Sequence, residues 1–364
     1  MIVVVKIGTS SLTDGQGIIR RDAIEKLCLE VAGARKLGHR VVIVTSGAIG
    51  AGLPALGLGG DQRPRDAQTL QAVSAVGQSR LMGVYSEALD RHSLIGGQVL
   101  LAPLDFVDRR QYLQARGTLN RLLELGVVPI VNENDAVADD EIRFGDNDRL
   151  AALVSHLVDS ELLVLLTDTS GLLSADPRVD PEASLIEEIV EFDQQLDDIA
   201  GGPGTRGGSG GMSSKLSAAK IAAWSGVRTV IAAAHRDNVL LDALNGLAGV
   251  GTTVAAHERH LPARKLWIAF AVRSAGLLTV DSGARNALER GGNSLLAAGV
   301  IGVTGEFDAD DAVEIADESG EVFAKGLVGM SAQTLKAAAG HSRSELPPEV
   351  PAQVIHADDI VILP

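Results

Sequence analysis

Lys6 stands near the end of an apolar run, Ile2–Ile7, that leads directly into Gly8-Thr9-Ser10. An ammonium group in a buried strand loses hydration that only an anion or a carboxylate can replace. This lysine therefore points to charge chemistry; the competing reading is a lysine snorkelling from an edge strand. Three further apolar runs end in residues of the same kind. Val41–Thr45 leads into Ser46-Gly47-Ala48, Val127–Val131 into Asn132-Glu133-Asn134-Asp135, and Glu161–Leu166 into Thr167-Asp168. One such exit is ordinary turn chemistry. Four in one chain describe a lined cleft, because ligands of doubly wound sheets bind beyond the carboxyl ends of the strands.

Two other segments carry chemistry. Gly207-Gly208-Ser209-Gly210-Gly211-Met212-Ser213-Ser214-Lys215 is a glycine loop that enters a helix. Glycine lets backbone N–H groups approach a phosphate closely, and a helix N-terminus favours the anion. It is not a Walker loop, because Lys215 follows Ser214 where that motif needs Gly-Lys-Ser/Thr. A flexible linker is the alternative reading. Gly202–Gly207 spells GxGxxG, but the acidic stretch before it (Glu187–Asp198) offers no strand, so no dinucleotide fingerprint is assigned. Phe144-Gly145-Asp146-Asn147-Asp148-Arg149 opens a helix that Asn147 or Asp148 can cap. Yet Asp139, Asp140, Glu141, Asp146 and Asp148 crowd close to Asp135, and such carboxylate density calls for cations nearby. His257 and His260 lie in a linker with no third ligand, Cys28 reads as packing on a helix face, and no histidine supports Ser46 as a nucleophile.

The elements that must position these residues alternate. Ile2–Ile7 reads as a buried strand, and Ile24, Leu27, Cys28, Val31 and Arg35 follow at helical spacing. Asp22 stands three residues before Glu25 as a capping signature, and Gly38 suits the helix end. Val41–Thr45 completes a βαβ unit, with the uncharged stretch to Gly60 continuing as a loop. The pattern repeats through helices at Tyr112–Leu125, Leu150–Val158 and Lys215–Trp224 and strands at Val127–Val131, Glu161–Leu166 and Thr229–Ala232. This predicts a mostly parallel sheet with helices on both faces. Near His257–Lys265 the chain turns polar around Pro262, and short strands follow at Leu266–Val272, Leu277–Val280, Val313–Ala316, Val322–Leu327 and Asp359–Leu363. Asp317–Gly320 forms a hairpin turn between two of them. Two domains are expected, residues 1–257 and 262–364.

Composition narrows the function. The 364 residues are 46% apolar and only 3% aromatic, enough for aliphatic cores. The net charge of −15 argues against general affinity for nucleic acid or anionic membrane. Residues 261–364 carry eight basic and fourteen acidic side chains, which weighs against RNA as a ligand of that region. One cysteine excludes an intrachain disulfide and a multi-cysteine metal site, and fits a reducing compartment. The N-terminus lacks a basic leader, and the longest uncharged stretch is too rich in glycine for a membrane span, so a cytoplasmic location is expected.

Taken together, VVKIGTSSL from Val4, VTSGAIGAG from Val44, GQVLL from Gly97, DFVDRRQYLQARGTLNRLL from Asp105, VPIVNENDAV from Val128, FGDNDRLAALV from Phe144, LLTDTSGLLSADPR from Leu163 and SGGMSSKLSAAKIA from Ser209 resemble the amino acid kinase family. The likeness covers most of residues 1–256 and is nearest to the members that phosphorylate glutamate. The tail after about Leu261, with ARKLWIAF, looks like the PUA domain appended to many of them. The resemblance implies a three-layer sandwich around a mainly parallel eight-stranded sheet and ATP-dependent phosphorylation of the γ-carboxylate of L-glutamate, the first step toward proline. It implies that Lys6 and Lys215 bridge the phosphates and that Asp148 orients both ammonium groups. Gly8 and Gly47 offer backbone N–H groups, and Ser46, Gly47, Asn132, Asp135 and Asn147 hold glutamate. The nucleotide falls to Lys6, Gly8, Thr167, Asp168 and the loop Ser209, Gly210, Gly211, Met212, Ser213, Ser214 and Lys215. Magnesium is expected to ride mainly on ATP, with no metal site of the protein's own. Implied partners are proline as feedback inhibitor, further copies of the chain in a dimer or tetramer, and glutamate-5-semialdehyde dehydrogenase. Family members acting on acetylglutamate, aspartate, carbamate or UMP are the rival enzymes, and an RNA-binding module is the rival of another class.

Overall fold

The computed structural model describes the chain apart from residues 59–62, 138–146, 176–179, 181, 193–195, 197–198, 200–210, 258–260, 273 and 364. It divides into two compact units, residues 1–260 and 261–364.

The first unit is built on an eight-stranded sheet in the order β3-β4-β2-β1-β5-β7-β8-β6. Its strands are β1 (Ile2–Ile7), β2 (Arg40–Val44), β3 (Gly96–Leu101), β4 (Val128–Glu133), β5 (Leu162–Thr167), β6 (Glu188–Ile189), β7 (Arg228–Ala233) and β8 (Gly251–Val254). Pairing is parallel throughout except between β7 and β8. β1 lies between β2 and β5, and all six of its residues are buried, which is why it reads as a continuous apolar run rather than an alternating one. The edge-strand reading of Lys6 is thereby excluded.

Major helices of this unit are α1 (Arg21–Lys36), α2 (Ala67–Asp90), α3 (Arg109–Glu124), α4 (Asn147–Leu157), α5 (Met212–Trp224) and α6 (Val239–Leu244). On one face Val3, Val5 and Ile7 of β1 share a core with Ile24 and Val31 of α1, Leu81 and Tyr85 of α2, and Leu240 of α6. Cys28 sits in that core, where burial pushes its thiol up to about 12. α4 packs against β1 and β5, and α5 against β7. α1 starts one residue before Asp22, so Asp22 is an acidic first-turn residue rather than a cap; Arg35 and Lys36 in the last turn complement the helix dipole at its other end. The helix closes on Gly38 at φ +84, with Gly38 N donating to Arg35 O and His39 N to Ala34 O.

Two readings from the sequence need correction. The stretch after β2 is not a plain loop: it forms helical turns at Ala48–Gly52 and Pro54–Leu56. The run Leu266–Val272 is not a strand. Ala263–Leu266 is helical, and a wider turn over Trp267–Ala271 ends with Val272 N donating to Trp267 O. Ile268 and Ala269 bury together with Leu327 and Val361, and an apolar run this short carries no periodicity that separates helix from strand. The long α2 also has no counterpart among the helices expected above. Gly77, Gly83, Ser74 and Gln78 interrupt its apolar stripe.

The second unit holds a five-stranded sheet, β11-β9-β12-β13-β15, and a two-stranded one, β10-β14. Its strands are β9 (Gly276–Val280), β10 (Leu295–Leu296), β11 (Val300–Gly305), β12 (Ala312–Ala316), β13 (Val322–Leu327), β14 (Gln353–Ile355) and β15 (Ile360–Ile362). The β12–β13 turn is as expected: Asp317 Oδ1 accepts from the N–H groups of Ser319 and Glu321, and Gly320 takes φ +88.

Candidate active site

The carboxyl ends of β1, β2, β4 and β5 open on a cleft of about 810 Å3. Lys6, Gly8, Ser46, Gly47, Asn132, Asp135, Asn147, Thr167, Asp168 and Lys215 all line it. Of the predicted glycine loop, Gly211, Met212, Ser213 and Ser214 are described and lead into α5; Ser209 and Gly210 lie outside the described residues, as do Asp139, Asp140, Glu141 and Asp146.

At the centre is a buried triad of charges. Asp148 is fully buried in the first turn of α4, Lys6 is 3% exposed and Lys215 is 5% exposed. Lys6 Nζ lies 2.5 Å from Asp148 Oδ1, and Lys215 Nζ lies 3.1 Å from Asp148 Oδ2. Ser214 Oγ donates to the latter oxygen at 3.0 Å. Burial alone would raise the Asp148 carboxyl, but the two ammonium groups outweigh it and hold the group below the ordinary carboxylate value. The cluster holds two ammonium groups about one carboxylate, and both lysines line the cleft.

Beside this triad stands a wall of amides and hydroxyls that also carries the carboxylates of Glu133 and Asp135. Asn147 Nδ2 lies within hydrogen-bonding distance of Thr45 O (2.5 Å), Asn132 Oδ1 (2.6 Å) and Ser46 Oγ (3.1 Å). Asn132 Nδ2 donates to Gln78 Oε1 at 2.7 Å, and Ser74 Oγ donates to Asp135 Oδ2 at 2.9 Å. On the opposite side Thr167 Oγ1 donates to Asp168 Oδ1 at 3.1 Å.

Two glycines shape the cleft for different reasons. Gly47 takes φ +94, a conformation that strains any residue with a Cβ. Gly8 has an ordinary extended backbone, and a Cβ there would sit in contact with Lys6 Nζ at 3.6 Å. The turn Ala48–Gly52 is seated on α2 without intervening side chains. A Cβ on Gly77 would fall 1.7 Å from Ala48 O, and one on Gly52 would fall 2.1 Å from Val73 O.

Sequence reasoning missed Ser74 and Gln78, which support the wall from α2, and Arg20 and Arg63, which also line the cleft. No signal in the sequence singles out the first two, because Gln68, Gln71, Ser79 and Arg80 stand in the same helix.

The model of the amino acid kinase family matches residues 1–233, and the chain belongs to that family. A PUA domain model matches residues 276–347. At the level of individual proteins, the chain is 42% identical to the glutamate 5-kinase of Thermoanaerobacter pseudethanolicus over 367 residues, which span all of this chain and 98% of that one. It is 44% identical to the glutamate 5-kinase of Herpetosiphon aurantiacus over 366 residues, covering 99% and 98%. Among solved structures, carbamate kinase from Giardia lamblia bound to AMP-PNP has a TM-score of 0.52 at 19% identity, covering 70% of this chain and 98% of that one, a likeness of fold.

Proposed function

We propose that this chain transfers the γ-phosphoryl group of ATP to the γ-carboxylate of L-glutamate, giving γ-glutamyl phosphate and ADP. The observation that carries the reading is the buried Lys6–Asp148–Lys215 cluster, with both lysines lining the cleft beside the amides of Asn132 and Asn147. A carboxylate acceptor is already ionised at neutral pH, with an ordinary pKa of about 4.3, so the reaction needs no general base. The obstacle is repulsion. Two like charges about 3.5 Å apart cost roughly 4–5 kcal/mol at an effective dielectric near 20. Catalysis is then positioning plus positive charge.

In this reading Lys6 and Lys215 contact the transferring and leaving phosphates, and Asp148 holds both ammonium groups in place. The backbone N–H groups of Gly8 and Gly47 add donors. Ser46, Asn132 and Asn147 hold glutamate, and Asp135 meets its α-ammonium. Thr167, Asp168 and the loop from Ser209 to Lys215 hold the nucleotide. Among the described residues no three His, Cys, Asp or Glu side chains gather as metal ligands, and Asp148 is engaged by two lysines. Magnesium fits best as the counter-ion of the nucleotide, held by phosphates and water, where it neutralises phosphate charge.

Three wider expectations belong to the same reading: a cytoplasmic enzyme, feedback inhibition by proline, and assembly into a dimer or tetramer whose product passes to glutamate-5-semialdehyde dehydrogenase. No helix among the described residues is long and apolar enough to cross a membrane. The segment Ala136–Gly145, taken from the sequence as the element that responds to proline, lies largely outside the described residues. A hydroxamate assay with ATP, magnesium and glutamate tests acceptor and reaction class together, because hydroxylamine traps the acyl phosphate. Trapped product is expected with glutamate; comparable turnover of N-acetylglutamate or aspartate overturns the assignment.

A further inference from the structure

Asp135 lines the cleft just past β4, in a turn whose next two residues, Ala136 and Val137, are exposed. Its carboxylate is tied to helix α2, where Ser74 Oγ donates to Asp135 Oδ2 at 2.9 Å across 61 positions of the chain. We propose that Ser74 is a positioning residue for the phosphoryl acceptor. Its hydroxyl anchors one oxygen of Asp135 and so keeps the carboxylate aimed at the α-ammonium of the acceptor. This rests on the reading of Asp135 as the partner of that ammonium.

A hydroxyl has one hydrogen to donate, and within a helix its nearest acceptor is the carbonyl one turn back. Ser155 and Ser217 use theirs in that way, on Ala151 O at 2.8 Å and Ser213 O at 2.9 Å. Ser74 sits inside α2 with the same option, yet its hydrogen goes to a carboxylate of the cleft.

The donor is also held in place. Ser74 is buried, and the residues on either side of it seat α2 on the turn Ala48–Gly52, through Val73 O against Gly52 and Gly77 against Ala48 O. Backbones packed this closely hold one position relative to each other. An aspartate on a turn has a broad χ2, and a charge-assisted hydrogen bond from a fixed donor narrows it. The incoming ammonium then meets a carboxylate already oriented, and less rotamer freedom is lost on binding.

The test is steady-state kinetics of acyl phosphate formation on the full chain, with Ser74→Ala, Asp135→Ala and the double variant. Alanine is the stronger helix former, so Ser74→Ala is expected to fold. Its KM for glutamate should rise about tenfold, the scale of one hydrogen bond to a charged group, while kcat and KM for ATP stay within about twofold. Asp135→Ala should lower kcat/KM for glutamate further. Adding Ser74→Ala to it should change that value by less than about twofold, because the hydroxyl acts through the carboxylate. An unchanged glutamate KM in Ser74→Ala, KM values for glutamate and ATP raised together, or independent effects in the double variant overturn the proposal. So does failure of Ser74→Ala to fold, which would make Ser74 a residue of the fold. Wild-type glutamate kinetics in Asp135→Ala, or a wild-type chain that makes no acyl phosphate from glutamate, removes the underlying reading instead, and this one with it.

Discussion

Lys6 and Lys325 are both buried lysines in interior strands of their sheets, one in each unit. Lys6 meets a buried carboxylate that it shares with a second lysine at the mouth of a cleft. Lys325, on β13, donates to the backbone carbonyl of Val272 inside the second unit. The residue type and the strand context are alike; the partner and the neighbouring space differ. The Val272 carbonyl takes an N–H of an ammonium buried within its unit, whereas the Lys6 ammonium, held by a carboxylate it shares with Lys215, lines a cleft where a ligand can meet it.

The sharpest way to break this contrast is to remove each lysine. Lys6→Ala or Lys215→Ala should lower kcat by about 10²–10³-fold, as loss of one preorganised electrostatic donor does. A rise in KM alone would refute the role. Asp148→Asn strips the counter-charge from two buried ammonium groups, a change that costs about 3–5 kcal/mol when one partner of a buried pair is removed. Denaturant titration measures it. The sign with pH follows from the lowered carboxyl. Its stabilisation is complete above the ordinary value of 3.8 and is lost as pH falls through the depressed one, so Asp148→Asn should flatten the acid side of the stability profile. Gly77→Ala forces two backbones apart and should cost about 1–3 kcal/mol, with a higher KM for glutamate and little change for ATP. Lys325→Met should leave kcat and both KM values within about twofold, because its hydrogen bond to Val272 lies within the second unit. A chain ending near His257 is expected to fold and to keep its activity, because every proposed site residue lies between Lys6 and Lys215. A folded, inactive truncation would show that the second unit completes the site.

The strands and their exits were legible because parallel, doubly covered strands leave short β-branched apolar runs closed by polar turn residues. Lys6 was conspicuous for the same reason: a charge interrupting such a run. α2 was hidden because its role inverts the usual pattern. Gly77, Ser74 and Gln78 share its buried face with Val73, Leu81 and Leu89, which weakens both the propensity and the periodicity that would mark it. Gln78 was invisible for a further reason, since its meaning lies in an amide 54 positions away in the chain. The mistaken strand at Leu266–Val272 shows the limit from the other side, where composition is apolar and length too short to choose.

Where two backbones touch with no side chain between them, neither slides without the other. Gly77 and Gly52 join α2 to the turn Ala48–Gly52 in this manner. The amides of that turn can then open to solvent only when the helix opens. Their hydrogen exchange should follow the slow exchange of Leu81 and Tyr85 rather than the fast exchange of a surface connection. A segment that looks like a loop by its place between elements would keep time with the interior.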